Sequence, residues 1–369
     1  MTRIVFVISH LIYGGAETQL INLTKELASR NHAVAIYTLN AANPRASELK
    51  STGVELIPDQ KRFKLDFAVL WRLHRFIKQF RADIVHGFLF DGDIYSRLAS
   101  VGTGAIAVNS ERNSDYSLSI TQKFAHRCTR FLAHAVVANS YAGARFARTL
   151  FALPPGRIHT VWNGIDLNSI DGRTAEYDVR LHELFFEGTN FKIACLVGSI
   201  KPPKDYRLAL EVADVLTRNH PDWRVLFIGE QLSTTGPYKS EILQFYSELA
   251  LEGRAAFAGL RQDVPELISR CRVLFSTSLY EGFPNVVLEA MTVGTPVVST
   301  HYSDIRQILP EPWQVIPDRN PSSIVSAILR ADIEHSCIVA AQRAWVAKNA
   351  TISIAADNLE SIYLGYVPK

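Results

Sequence analysis

Two carboxylates eight residues apart, Glu281 and Glu289, bracket the run Glu281-Gly-Phe-Pro-Asn-Val-Val-Leu-Glu289, and Ala-Met-Thr-Val-Gly-Thr-Pro-Val-Val follows directly. A carboxylate can accept hydrogen bonds from two vicinal hydroxyls, which is the chemistry a ribose or hexose asks for. Pro284 and Asn285 open a helix and Gly294 stands just past its end. Glu281 then falls in the loop before that helix, and Glu289 about one turn inside it. The free backbone N–H groups of the first turn, with the positive end of the helix dipole, suit an anion or a sugar oxygen at the same mouth. Spacing alone leaves a plainer alternative, a loop charge and a solvated helix position.

The helix needs elements to hold it. Apolar runs at 273–276 and 296–299 read as buried strands on either side. The same alternation of short Val/Ile-rich runs and helical patterns continues along the chain, the mark of parallel sheets flanked by helices. Strands are expected near 3–9, 33–39, 54–58, 83–86, 105–109, 135–138 and 158–162, then near 191–197, 224–228, 255–258, 273–276, 296–299 and 314–316. At 369 residues the chain exceeds the usual size of one core, so two domains are expected, 1–167 and 168–351. The boundary follows the turn-forming Asn163-Gly-Ile-Asp166. Ligands of such sheets bind outside the carboxyl ends of the strands, so functional residues belong on loops that follow strands.

The run from Glu281 to Val298 resembles the donor-site signature of family 4 of the retaining GT-B glycosyltransferases. The resemblance implies two Rossmann-like, doubly wound parallel-sheet domains with a cleft between them. It further implies an acceptor-binding N-terminal domain, a donor-binding C-terminal domain, and a last helix (352–369) crossing back onto the first. In that family the first glutamate and the amides after it hold the donor sugar, and the second binds the nucleotide ribose. Carried over, Glu281, Gly282, Phe283, Pro284, Asn285 and Glu289 are the expected donor contacts. Backbone near Gly229 and Leu260 would face the nucleotide, and Asn163-Gly164 would be the hinge.

Other motifs match the family in part. Gly14-Gly15 follows the first strand at a helix start, like the family's N-terminal loop beside the donor diphosphate; a simple tight turn explains it equally. In Gly198-Ser-Ile-Lys-Pro-Pro-Lys204, Lys204 matches the lysine that neutralises the diphosphate, and Ser199 stands where an arginine is usual. Lys201 could supply that charge, as a point charge rather than a planar fork. His86 is a candidate catalytic group at a strand end, where a structural role is also open. The family's second histidine is Phe88 here. Arg112 and Asn113 are candidate acceptor or phosphate contacts. Asp91-Gly-Asp93 has the look of a metal-binding Asp-x-Asp, but Asp93 is better read as the N-cap of a helix over 94–100. No metal or other cofactor is expected, the nucleotide diphosphate sugar being a co-substrate.

Composition narrows the partners. With 47% hydrophobic and 20% charged residues the chain is an ordinary globular one. No apolar run of about 18 residues is present, and the start of the chain reads as a buried strand rather than a signal peptide. Cys128, Cys195, Cys271 and Cys337 lack metal-type spacing and read as packing residues of a reduced, cytoplasmic protein. The net charge of +3 divides unevenly: residues 1–167 carry 20 Lys+Arg against 12 Asp+Glu, the remainder 19 against 24. A basic N-terminal half suggests an anionic partner. The basic, aromatic stretch 61–81, with Leu70, Leu73, Ile77 and Phe80 on one helical face, reads as a helix covering the first sheet. Its outer face also fits peripheral contact with the inner face of the cytoplasmic membrane. No nucleic-acid partner is expected.

The resulting expectation is a retaining, metal-independent glycosyltransferase, with UDP favoured over GDP in the donor. Its acceptor would be a saccharide, often lipid-linked, in surface polysaccharide assembly. A nucleotide-sugar 2-epimerase and a catalytically silent sugar-nucleotide binding partner are the alternatives.

Overall fold

The computed structural model describes residues 1–112, 118–167, 181–188, 191–229 and 236–367. They form two compact units, one comprising 1–165 with 350–369 and the other 166–349.

The first unit is a seven-stranded parallel sheet: β1 Arg3–Ile8, β2 Ala33–Thr38, β3 Val54–Pro58, β4 Ile84–Phe88, β5 Ile106–Glu111, β6 Ala135–Ala138 and β7 Ile158–Thr160, in the order β3-β2-β1-β4-β5-β6-β7. Its flanking helices include α1 Gly15–Ser29, α2 Phe67–Phe80, α3 Leu89–Ser100, α4 Ile120–Thr129 and α5 Tyr141–Phe151, and the terminal helix Ile352–Leu364 packs here too. The second unit is a six-stranded parallel sheet: β8 Lys192–Val197, β9 Trp223–Ile228, β10 Ala255–Gly259, β11 Val273–Ser276, β12 Val297–Thr300 and β13 Val315–Ile316, in the order β10-β9-β8-β11-β12-β13. Both are doubly wound α/β sheets. In each, the chain moves outward from its first strand and then returns to that strand's other side, at β1/β4 and β8/β11.

Every strand run read from the sequence appears, with ends shifted by up to two residues. The central strands are continuous Val/Ile/Phe runs because helices cover both faces; in β1 all residues from Ile4 to Ile8 are fully buried. Amphipathic helices supply the other half of each core. In α2, Val69, Leu73 and Ile77 face the sheet while Asp66 caps the start, accepting from Ala68 N and Val69 N.

Several local expectations are corrected. Asp93 does not cap a helix at Ile94: α3 begins at Leu89, and Asp93 lies within it. The turn into α3 is made by Leu89 itself, held at φ 63°. Cys128 and Cys337 are exposed rather than packed; only Cys195 and Cys271 are buried. Among the described residues no helix is long and apolar enough to cross a membrane.

Candidate functional site

The second unit brings the signature residues to the carboxyl ends of β8 and β11, the place where its strand order reverses. β11 runs into a loop, then into the helix Asn285–Val293 with Pro284 at its cap position. Val287, Leu288 and Met291 are buried beneath that helix, each contributing roughly 1.5–3 kcal/mol relative to exposure. Gly294 ends it at φ 86°, where a Cβ would also stand 2.9 Å from Arg343 Nη2. The helix is thereby fixed with its amino end at the strand ends. Glu281 and Glu289 are both half-buried, Phe283 is buried, and Asn285 opens the first turn.

Lys204 and Glu281, from loops after different strands, meet: Lys204 Nζ donates to Glu281 Oε1 at 2.8 Å, and Ser278 Oγ donates to the same oxygen at 2.5 Å. The two loops are stitched together. Thr277 Oγ1 donates to Lys204 O at 2.8 Å, and Leu279 N to Pro203 O at 2.8 Å. Arg319 ties both, with Nη2 on Asp205 Oδ2 (2.6 Å) and on Thr277 O, and Nη1 on Ser278 O (3.3 Å). Ser303 Oγ donates to Gly282 O at 3.1 Å. Tyr206, fully buried, donates to Gly198 O at 2.5 Å and pins the start of the β8 loop.

Ser199 lies half-buried in that loop. Gly229, after β9, is held at φ 142°; a Cβ there would meet Gly198 O at 2.6 Å, so only glycine permits the two loop backbones to approach. Leu260 is 63% exposed just beyond β10. Sequence reasoning missed Arg319, Ser278 and Tyr206. Only Asp205 carried a readable signal, as the N-cap of the amphipathic helix Tyr206–Asn219, accepting from Leu208 N.

In the first unit, Gly14 precedes α1 and Gly15 is its first residue. The Glu17 side chain folds back so closely that a Cβ on Gly14 would meet its Oε2 at 2.4 Å. Thr18 Oγ1 donates to Gly14 O at 2.9 Å. His86 has no exposed surface, and both ring nitrogens are engaged, Nδ1 with the Tyr363 hydroxyl at 2.6 Å and Nε2 with Ser110 Oγ at 2.8 Å. Burial, with Arg112 nearby, holds its pKa well below the usual histidine value, so the ring is neutral. It stacks on Phe6 and joins the sheet to the terminal helix.

Phe88, where the family's second histidine would fall, is fully buried and carries the Arg112 guanidinium 4.4 Å from its ring centroid. Arg112 Nη1 donates to Asn163 Oδ1 at 2.7 Å, and its buried Nε finds no partner among the described residues. Burial lowers its pKa to about 10. Asn113 lies outside the described residues.

Beside Arg112 is a cavity of about 340 Å³ whose lining includes Leu89, Phe90, Asp93, Arg112, Gln122 and His126. Burial pushes the Asp93 carboxyl up to about 7, although Asn109 Nδ2 at 3.0 Å and Arg97 at 3.7 Å favour its charged form. Asp91 and Asp93 do not form a metal pair. Asp91 pairs with Lys61 and accepts from Ser9 Oγ at 3.2 Å, whereas Asp93 turns to Asn109 and Ser110 N. Two residues apart on a helix, they point to different sides. Among the described residues no group of three or more His, Cys, Asp or Glu could hold a metal ion.

Comparison with known proteins covers both units. The family model described as Glycosyltransferase Family 4 matches residues 13–169, and that described as Glycosyl transferases group 1 matches 182–331. An N-acetylgalactosamine-N,N'-diacetylbacillosaminyl-diphospho-undecaprenol 4-alpha-N-acetylgalactosaminyltransferase of Campylobacter jejuni is 26% identical over 191 residues, 52% of this chain and 48% of the relative. A UDP-Gal:alpha-D-GlcNAc-diphosphoundecaprenol alpha-1,3-galactosyltransferase of Escherichia coli is 26% identical over 249 residues, 63% of this chain and 61% of the relative. The matches thus span about half to three-fifths of these relatives' length. In fold, the chain is similar to Anabaena HepE in complex with UDP and glucose (TM-score 0.82, 17% identity, 99% of this chain and 100% of that one). It is equally similar to a glycosyltransferase of Rickettsia africae (TM-score 0.83, 18% identity, 99% and 98% covered).

Proposed function

The chain belongs to the family 4 glycosyltransferases of the GT-B fold, and from that premise we propose that it is a retaining transferase that uses a UDP-sugar. The observation that carries this reading is the Lys204–Glu281 contact at the mouth of the helix Asn285–Val293, with Glu289 one turn inside. Lys204 and the first-turn amides would take the diphosphate, Glu289 the ribose hydroxyls, and Glu281 with the Gly282–Asn285 backbone the sugar. The C1–phosphate oxygen bond breaks through an oxocarbenium-like state, and the acceptor hydroxyl bonds to C1 on the face the diphosphate leaves. The departing phosphate takes the hydroxyl proton. No protein nucleophile and no metal enter the step; catalysis rests on placement and on charge stabilisation of the leaving group. His86, buried and neutral, acts by positioning Ser110 and Tyr363 rather than by touching the donor.

The acceptor in this reading is a lipid-linked saccharide for surface polysaccharide assembly, met at the cytoplasmic face of a membrane by the basic N-terminal domain, with Arg112 as a contact. The relatives named above for diphospho-undecaprenol saccharides support that class. The test is incubation with UDP-glucose, UDP-galactose, UDP-GlcNAc and UDP-GalNAc in turn, with a bacterial lipid-linked saccharide extract. One hexose or N-acetylhexosamine added to the acceptor, with the donor's anomeric configuration kept, supports the reading. A donor sugar altered without acceptor indicates a 2-epimerase, and donor binding with neither change indicates a silent partner.

A further inference from the structure

Strand β12 ends in a turn whose backbone is unusual for its residues. Ile305 N donates to Tyr302 O at 3.1 Å, closing the four residues Tyr302–Ile305. Ser303, the first of the two central residues, stands at φ 43°, and Asp304 follows at φ −93° and ψ 13°. A positive φ at the first central place is what glycine ordinarily supplies, and an L side chain there is strained. Among the described residues of the second unit, Asp205 and Ala250 are the other non-glycine residues at positive φ. Each has a local reason: Ala250 stands at a helix exit, and Asp205 caps the helix that follows it with its own carboxylate. Ser303 has no such local use. Its hydroxyl donates out of the turn, to Gly282 O at 3.1 Å, in the loop that leads into the helix Asn285–Val293.

The turn is a fixed post for that hydroxyl. Tyr302, Asp304 and Ile305 are buried, and the Tyr302 hydroxyl lies 3.3 Å from that of Ser276 at the end of β11. The Ser276 hydroxyl is also 3.3 Å from that of Ser278, the donor to Glu281. Thr300 Oγ1, at the end of β12, donates to Ser278 O at 3.0 Å. The stretch that carries Ser303 thus braces the loop on both sides of Glu281, at Ser278 and at Gly282. A peptide unit is planar and trans, so a donor fixed on Gly282 O also fixes the opposite direction of the Phe283 N–H.

We propose that Ser303 is a positioning residue for the donor sugar, its hydroxyl holding the Gly282–Phe283 peptide in the orientation that distinguishes one sugar from another. Glycine in its place would relieve the strain but would have no hydroxyl to offer Gly282 O. The inference rests on the reading of Glu281 with the Gly282–Asn285 backbone as the sugar subsite, and deepens it. In that reading the nucleotide falls to Lys204 and Glu289, so Ser303 bears on the sugar and not on UDP.

The test is calorimetric titration of the full chain with UDP, UDP-glucose, UDP-galactose, UDP-GlcNAc and UDP-GalNAc, beside thermal denaturation, for wild type, Ser303→Gly and Ser303→Ala. Wild type should bind UDP and prefer one UDP-sugar over the weakest by about tenfold or more. Ser303→Gly should melt at or above the wild-type temperature, bind UDP within about twofold of wild type, and narrow the preference to about threefold or less. Ser303→Ala, which keeps the strain and loses the bond, should narrow it likewise while melting below Ser303→Gly. The proposal is overturned if both variants keep the wild-type preference, which would make the serine a turn residue only. It is overturned equally if wild type binds UDP but favours none of the four sugars, or if the variants lose UDP itself. Failure of the donor-site reading shows separately, as absence of UDP binding by wild type.

Discussion

Replacing Lys204 with methionine keeps the length of the side chain and removes its charge. In the free protein, Lys204 Nζ stands 2.8 Å from Glu281 Oε1, with the two side chains 22% and 14% exposed. At an effective dielectric of about 20, charges so close attract by about 6 kcal/mol gross. Desolvation and side-chain ordering return most of this, leaving a net of roughly 1–2 kcal/mol for a pair between the surface and buried cases. Stability should therefore fall modestly, and less in a Glu281→Gln background, where no carboxylate is left unpaired. The larger loss falls on the nucleotide. A charged hydrogen bond to a diphosphate contributes about 1.5–3 kcal/mol, so UDP should bind about 10- to 150-fold more weakly, while Lys204→Arg keeps most of the affinity. Turnover should fall by a further factor, on the order of 10² in all, because the leaving phosphate gains charge as the bond breaks. Glu281→Gln should behave differently, leaving UDP affinity nearly unchanged and lowering kcat/KM for the UDP-sugar. Calorimetric titration of UDP with initial rates separates the two. Wild-type UDP affinity in Lys204→Met would refute the assignment of the phosphate to this loop.

Arg319→Gln removes the tie between the Lys204 and Glu281 loops. We expect roughly 1–2 kcal/mol lower stability by chemical denaturation and a tenfold or greater loss in kcat/KM, partly rescued by Arg319→Lys. Arg112→Gln, which empties the guanidinium from the Phe88 face, should raise the acceptor KM tenfold or more and leave UDP affinity unchanged. Among the buried groups of the first unit, His86 and His126, the latter at about 3, are depressed histidines, and Asp93, at about 7, is a raised carboxyl. The histidines' contribution is complete above pH 6.5 and is lost as pH falls toward their folded values; that of Asp93 is complete below about 3.8 and is lost as pH rises through 7. Between pH 4.5 and 6 acidification removes the histidines' contribution while restoring that of Asp93, so stability falls on acidification and Asp93→Asn should steepen the fall. Denaturation at several pH values measures both slopes; a flat profile would remove the buried-histidine explanation.

Strand positions were legible because residues buried on both faces of a parallel sheet leave continuous Val/Ile runs, as in 4–8 and 225–228. The signature helix was legible from its punctuation, Pro284 before and Gly294 after. What stayed hidden depends on contacts distant in sequence. Nothing around Arg319 marks it as the residue that reaches Thr277, Ser278 and Asp205, since its partners are mostly backbone carbonyls. Asp93 was misread because its local signal, an acid before an apolar run, is the same for an N-cap as for a helix residue turned toward Asn109 across the sheet. The burial of His86 depends on Tyr363, 277 residues away, which no local pattern reports.

The most direct test of the donor site is calorimetric titration of UDP, GDP and ADP into wild type and Glu289→Ala, with EDTA present throughout. Saturable binding of UDP to wild type, weakened tenfold or more in Glu289→Ala, is the predicted result, and it would fix both the base and the absence of a metal requirement. Binding of no nucleotide, or equal UDP affinity in the two proteins, would contradict the placement of the nucleotide at the mouth of the helix Asn285–Val293.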